Sequence, residues 1–125
     1  MNLTLFTTPK PFIGEAAIHQ ANAIESWTHI EPRPEIILYG DEPGVKELAE
    51  RLGIIHHTGI DRLMGIPLLH SLFAQAQAEA SNSRMVYLNA DIMILDGLVE
   101  AVQRAEVEVS ALFLGICRRH NPYPE

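Results

Sequence analysis

Arg84-Met85-Val86-Tyr87-Leu88-Asn89-Ala90-Asp91-Ile92-Met93-Ile94-Leu95 is the stretch on which the reading of this chain turns. Its first half is an apolar run of strand-forming residues, long enough for a buried strand and too short for most helices. Its second half is interrupted by Asn89 and Asp91. Open α/β sheets bind ligands outside the carboxyl ends of their strands, so the polar end of this run is where chemistry is expected. A carboxylate framed by apolar residues is costly to bury without a cation or donor to meet it, and Asp91 is read with that question attached.

Working outward, the N-terminal side supplies three strand–helix pairs. Residues 3–8, Leu-Thr-Leu-Phe-Thr-Thr, are β-prone and stop at Pro9-Lys10-Pro11, where two prolines force a loop. Ile13, Ala17, Ala21, Ile24 and Trp27 recur at helical spacing and predict a helix over 13–29, with Glu15 suited to its first turn. Glu35 to Tyr39 has the continuous apolar centre of a strand covered on both faces. Gly40-Asp41-Glu42-Pro43-Gly44 ends it. Val45, Leu48, Ala49 and Leu52 then form a helix face closed by Gly53. Ile54 to His57 reads as a short strand, Thr58 to Gly65 as a loop, and Pro67 as the opening of a helix over 67–80 with Leu68, Leu69, Leu72, Phe73 and Ala76 inward.

Beyond the opening stretch, Ile92 to Leu95 is a candidate extra strand. Asp96 is a candidate cap for a helix over 97–105, and 107–116 a further apolar strand followed by an irregular polar tail from Arg118. Strands alternating with helices predict an α/β fold: one domain over 1–125, a doubly wound and mostly parallel sheet with helices on both faces.

Bulk properties narrow the function. The 125 residues suit one ordinary domain, and a 47% hydrophobic fraction supports a core. Sixteen acidic against nine basic residues give a net charge of -7, which argues against a nucleic-acid surface. An anionic ligand would then need a metal ion or local donors. The lone Cys117 forms no internal disulfide, the first residues lack signal-peptide character, and no apolar run nears the roughly 20 residues that span a bilayer. A cytoplasmic, non-membrane-spanning domain is expected.

The candidate site residues lie in the loops after the strands. Asp91 and Asn89 offer two oxygen-bearing side chains at one strand end, the ligand type that Mg²⁺ or Mn²⁺ takes alongside substrate phosphates; from the residues alone, a turn-capping aspartate and a strand-end amide are the more common account of such a short pattern. Asp41 suits a hydrogen bond to a base or ribose hydroxyl, or a helix N-cap before Pro43. Lys10 and Arg62 suit phosphate, or solvent. The six histidines, among them His19 and the pair His56-His57, show no metal-site spacing and read as structural.

Four segments in order carry a family resemblance: Thr4-Leu5-Phe6-Thr7-Thr8-Pro9-Lys10, Glu35 to Gly44, Gly65 to Phe73, and Val86 to Leu95. Together, with Arg118-Arg119 near the end, the chain resembles the donor-binding half of a GT-A-fold glycosyltransferase, a Rossmann-like nucleotide-diphospho-sugar transferase. The resemblance implies an Asp-x-Asp motif holding Mn²⁺ or Mg²⁺ on the donor diphosphate. Here its first position is Asn89, so only Asp91 matches as the metal carboxylate. It implies that Thr7, Thr8 and Pro9 cradle the nucleotide, that Asp41 meets the base or ribose, and that Arg62, Gly65 and Pro67 close over it. It also implies that strand 107–116 runs antiparallel beside the strand at 84–88. The acceptor half and catalytic base of such enzymes lie C-terminal to the donor half, so the chain is expected to be incomplete at its C-terminus or to work with another chain, with an exposed apolar face that favours self-association.

Two function classes follow. One is metal-dependent transfer of a sugar from a nucleotide-sugar donor to an acceptor. The other is a catalytically silent nucleotide-binding or interaction module of the same fold. A phospho-acceptor receiver domain would need acidic residues after the first strand, and a sugar nucleotidyltransferase a glycine-rich basic loop there; Thr7-Thr8-Pro9-Lys10 is neither.

Overall fold

The computed structural model describes residues 2–59, 62–63, 66–67, 69–94, 97–107 and 116–118, with backbone alone at 62–63, 66–67, 69, 105–107 and 116–118. The elements run β1 (Thr4–Thr7), α1 (Glu15–Trp27), β2 (Glu35–Tyr39), α2 (Val45–Leu52), β3 (Ile55–His57), β4 (Arg62–Leu63), β5 (Ile66–Pro67), α3 (Leu69–Glu79), β6 (Arg84–Tyr87), α4 (Leu98–Val107) and β7 (Ile116–Arg118). Strands β3, β2, β1 and β6 lie side by side in that order and are all parallel, and β7 adds an antiparallel strand at the β6 edge. The chain is an α/β protein built on a parallel sheet.

Alternation along the strands sorts the core into two layers. Leu3, Leu5, Ile36, Leu38, Val86 and Leu88 face one side, where they pack with Ile24 and Trp27 of α1, Val45, Leu48 and Ala49 of α2, and Leu98 and Val102 of α4. Phe6, Ile37, Tyr39 and Met85 face the other, against Leu72 and Ala76 of α3. The register accounts for this sorting. Leu5 sits between Ile36 and Val86, and Phe6 between Ile37 and Tyr87, so residues of like orientation meet across three strands. Burial on both faces is what the unbroken apolar centre of β2 demands.

Several local expectations are corrected. Ile13 is not on the inner stripe of α1: the helix begins at Glu15, with Gly14 at positive φ as its N-cap, and Ile13 is 69% exposed. The buried stripe is Gln20, Ala23, Ile24 and Trp27. The segment read as a loop over 58–65 contains β4, which pairs antiparallel with β5 in a small separate ribbon. Pro67 therefore lies in that ribbon, paired with Arg62, and α3 begins at Leu69. Residues 92–94 form no strand. Instead they run along α1, where the Trp27 indole N–H donates to the Ile92 carbonyl at 2.8 Å and the Ile94 N–H donates to Ser26 Oγ at 3.0 Å.

The C-terminal strand is described only in part. Val107 closes α4, and the antiparallel strand beside β6 is found at 116–118, so Arg118 belongs to a strand rather than to a polar tail. Gly65, Leu68, Leu95, Asp96, Arg119 and residues 108–115 lie outside the described residues. No helix among the described residues is long and apolar enough to cross a membrane. Exposed large apolar side chains among them include Ile13, Ile18, Ile55, Ile92 and Met93.

Candidate functional site

Strand order positions the site. From β1 the chain builds outward through β2 to β3, then returns across the sheet to place β6 on the other side of β1. The connections that leave the carboxyl ends of β1 and β6 therefore diverge, and a crevice opens between them. A cavity of about 390 Å³ occupies that place. The loop after β1 contributes Thr8 and Lys10. The end of β6 and the turn beyond it contribute Tyr87, Asn89, Ala90 and Asp91. The first two turns of α1 contribute Glu15, Ala16, His19 and Gln20.

Each wall has a local reason for its shape. Asn89 to Ile92 is a tight turn, closed by the Ile92 N–H donating to the Asn89 carbonyl at 3.1 Å. Ala90 packs inward, while Asn89 and Asp91 are exposed. The carboxylate of Asp91 therefore carries no burial cost: Leu88 and Ala90 pack inward, while Asp91 stands at the turn's tip beside the exposed Ile92 and Met93. On the opposite side, the buried Gln20 amide clasps the loop after β1. The Lys10 N–H donates to Gln20 Oε1 at 2.7 Å, and Gln20 Nε2 donates to the Lys10 carbonyl at 2.9 Å. This fixes the backbone from which the Lys10 side chain extends.

The hydroxyls of Thr7 and Thr8 and the phenol of Tyr39 are buried without a hydrogen-bond partner. All three lie at the carboxyl ends of β1 and β2. Thr8 borders the cavity, whereas Thr7 and Pro9 are buried beside it and do not line it. Burial raises the Tyr87 pKa above its ordinary value, and burial with the nearby carboxylates of Glu79 and Glu35 raises that of Tyr39, so both phenols are neutral near pH 7. Tyr87 is held from behind by Phe6 and Phe73, with ring centroids 5.6 and 5.7 Å away.

Of the residues singled out by sequence, the structure brings Thr8, Lys10, Asn89 and Asp91 to one cavity. Asp41 is exposed beyond β2 and does not border it. Nor does Asp41 cap α2, whose N-cap is Gly44 without a side-chain hydrogen bond. Arg62 and Pro67 pair across the β4–β5 ribbon, and Gly65 lies outside the described residues. Sequence reasoning missed Glu15, His19, Gln20 and Tyr87. A signal for Gln20 existed: it is the one polar residue on the stripe 20, 23, 24, 27. Glu15 and His19, four apart on one helix, share a face by the same spacing rule.

Among the described residues no three His, Cys, Asp or Glu side chains converge as a metal-binding group. The cavity's donor set is nonetheless hard and oxygen-based at Asn89 and Asp91. Mg²⁺ is commonly held by one or two carboxylates with water and substrate phosphates, and the exposed Asp91 carboxylate beside an open cavity fits that mode. A second cavity, of about 270 Å³, lies at the far end of α1 between His29, Glu31, Gly97 and Glu100. It is not at the carboxyl ends of the strands.

Compared with known proteins, the chain matches no family model, and no curated protein matches it significantly.

Proposed function

We propose that this chain is the donor-binding half of a glycosyltransferase of the GT-A type, a doubly wound Rossmann-like unit that takes a nucleoside-diphosphate sugar into the cavity between β1 and β6. The observation that carries the reading is the position of that cavity. It lies where the strand order reverses, and it joins Thr8 and Lys10 from one loop to Asn89 and Asp91 from the other. Ligand sites of open α/β sheets occur at this place.

The roles follow from the chemistry of each group. Asp91, with Asn89, would hold Mn²⁺ or Mg²⁺ against the donor diphosphate. A divalent cation there supplies the charge neutralisation that the departing nucleoside diphosphate needs. Lys10 adds a positive charge on the opposite rim. Thr8 borders the cavity, and its buried, unpartnered hydroxyl would donate to a ligand oxygen on rotating outward. This local cation and donor set is how a chain of net charge -7 would accept an anion.

Calorimetric titration of UDP and GDP, with and without Mn²⁺, tests the reading on the wild type and on Asp91→Ala. Nucleotide affinity should rise with Mn²⁺ in the wild type and lose that gain in the variant. Binding that is indifferent to both metal and substitution removes Asp91 from the site. The second reading, a nucleotide-binding module without transfer, is favoured by the sparse ligand set: among the described residues no three His, Cys, Asp or Glu side chains converge, so a cation at Asp91 and Asn89 would depend on ligand phosphate and water. Donor hydrolysis separates the two: tight binding without turnover fits the silent module.

A further inference from the structure

Resting on that reading, we infer that the α1 wall of the cavity is a subsite for sugar hydroxyls, formed by Glu15 and His19 with Asn89 opposite and Tyr87 beside them. These four side chains border one cavity, and α1 sets Glu15 and His19 a single turn apart on it.

The local charge favours hydroxyls over phosphate on this wall. A helix start attracts anions, but here the first turn of α1 already carries the Glu15 carboxylate, and Asp91 adds a second on the far rim. Among the described residues that line the cavity, Lys10 is the single Lys or Arg. A bare phosphate placed at Glu15 and His19 would meet a carboxylate with no cation between them. A hydroxyl meets no such repulsion. It donates to the carboxylate, exchanges hydrogen bonds with the imidazole, and both donates to and accepts from the Asn89 amide.

Tyr87 completes the set. Its half-buried ring, braced by Phe6 and Phe73, offers an apolar contact for the C–H groups of a sugar, with a neutral phenol as the polar end. A ligand's diphosphate then lies toward Lys10 and Asp91, and its sugar toward α1. Glu15 and His19 are exposed at the cavity wall, so substituting them leaves the packed core alone.

The test is amide-resolved NMR titration of the wild type, Glu15→Ala and His19→Ala with UDP, UDP-glucose and methyl α-glucoside, at fixed Mn²⁺. UDP-glucose should bind the wild type more tightly than UDP. Each substitution should weaken UDP-glucose by about tenfold while leaving UDP unchanged. UDP-glucose binding no tighter than UDP in the wild type, equal losses for both ligands, or no loss in either variant overturns the subsite. Failure of the wild type to bind UDP at all sinks the nucleotide reading separately. Methyl α-glucoside then decides the subsite: shifts at Glu15 and His19 that vanish in Glu15→Ala sustain it, and their absence overturns it.

Discussion

The Gln20 carboxamide and the Lys10 peptide unit hold each other through two opposed hydrogen bonds, 2.7 Å from the Lys10 N–H to Gln20 Oε1 and 2.9 Å from Gln20 Nε2 to the Lys10 carbonyl. Gln20 is 3% exposed, so its amide would stand unpaired in the core without this loop. The pair couples the inner stripe of α1 to the rim of the cavity. Gln20→Leu keeps the volume and removes both bonds. It should cost about 1–2 kcal/mol in urea unfolding. It should also weaken nucleotide binding, because the Lys10 loop loses its anchor. Unchanged affinity in a folded Gln20→Leu protein would detach Lys10 from the site.

Gly44 and Phe12 set the distance between the loops after β1 and β2. Gly44 has φ 92°, and a Cβ placed on it would fall 2.5 Å from Phe12 Cβ. The Phe12 N–H also donates to the Pro43 carbonyl at 2.8 Å, so Phe12 cannot withdraw cheaply. Gly53 has φ 67°, and a Cβ there would meet nothing within 4 Å, which makes it the control. Gly53→Ala should cost about 1 kcal/mol from backbone strain alone. Gly44→Ala should exceed it by about 1–3 kcal/mol, the range of overpacking. Equal losses in thermal or urea unfolding would show that the Phe12 contact yields.

Tyr39 is fully buried, edge-on to Phe6 and stacked on His57, with its hydroxyl unpartnered. Its folded pKa is raised above the ordinary value of 10.0, by burial first and by Glu79 and Glu35 next. The stability tied to the neutral phenol is therefore complete below pH 10 and is lost as pH rises beyond it toward the folded pKa, since the unfolded chain ionises first. Tyr39→Phe removes both the ionisation and the orphan hydroxyl. It should leave stability at pH 7 equal or up to about 1 kcal/mol higher, and make the decline above pH 10 shallower. A loss at pH 7 would reveal a hydrogen bond to that hydroxyl.

Much of this architecture is legible in the residues. Continuous apolar runs at 36–38 and 85–88 locate the two strands that flank β1, and turn residues separate them from helices with clear inner faces. The β4–β5 ribbon is not legible, because strands of two residues have no period to detect and Pro67 suits a helix start as well as a ribbon. The site is half legible. Asn89 and Asp91 interrupt an apolar run and so stand out. Glu15 and His19 look like ordinary solvent-facing helix residues, and their shared cavity exists only because strand order brings α1 beside the turn after β6. Asp41 marks a strand end equally well on paper, but β2 is one strand removed from the crevice.

Glu35 ties the opposite edge of the sheet together. Its carboxylate accepts from Thr4 Oγ1, from the Ser81 N–H and from Ser81 Oγ, each at 2.8 Å, and Asn82 Nδ2 donates to Thr4 Oγ1 at 3.2 Å. The turn before β6 is thereby fastened to β1 and β2. Charge-assisted bonds of this kind exceed neutral ones, so Glu35→Ala should cost about 2–3 kcal/mol in equilibrium unfolding. Ligand affinity in the folded variant should be unchanged, since this network lies at the amino ends of the strands. A matching loss of affinity would mean that the two edges are coupled.

The most direct measurement places the cation. Mn²⁺ broadens amide NMR signals near it, so substoichiometric Mn²⁺ added with UDP reports its position without reference to turnover. If Asp91 holds the cation, broadening is selective for Asn89 to Ile92 first, then for Thr8 and Lys10. All of it should be abolished by Asp91→Ala, which leaves the fold intact because Asp91 is exposed. Broadening centred instead on Glu31 and Glu100 at the far end of α1, or broadening that persists in Asp91→Ala, would contradict a cation site at Asp91.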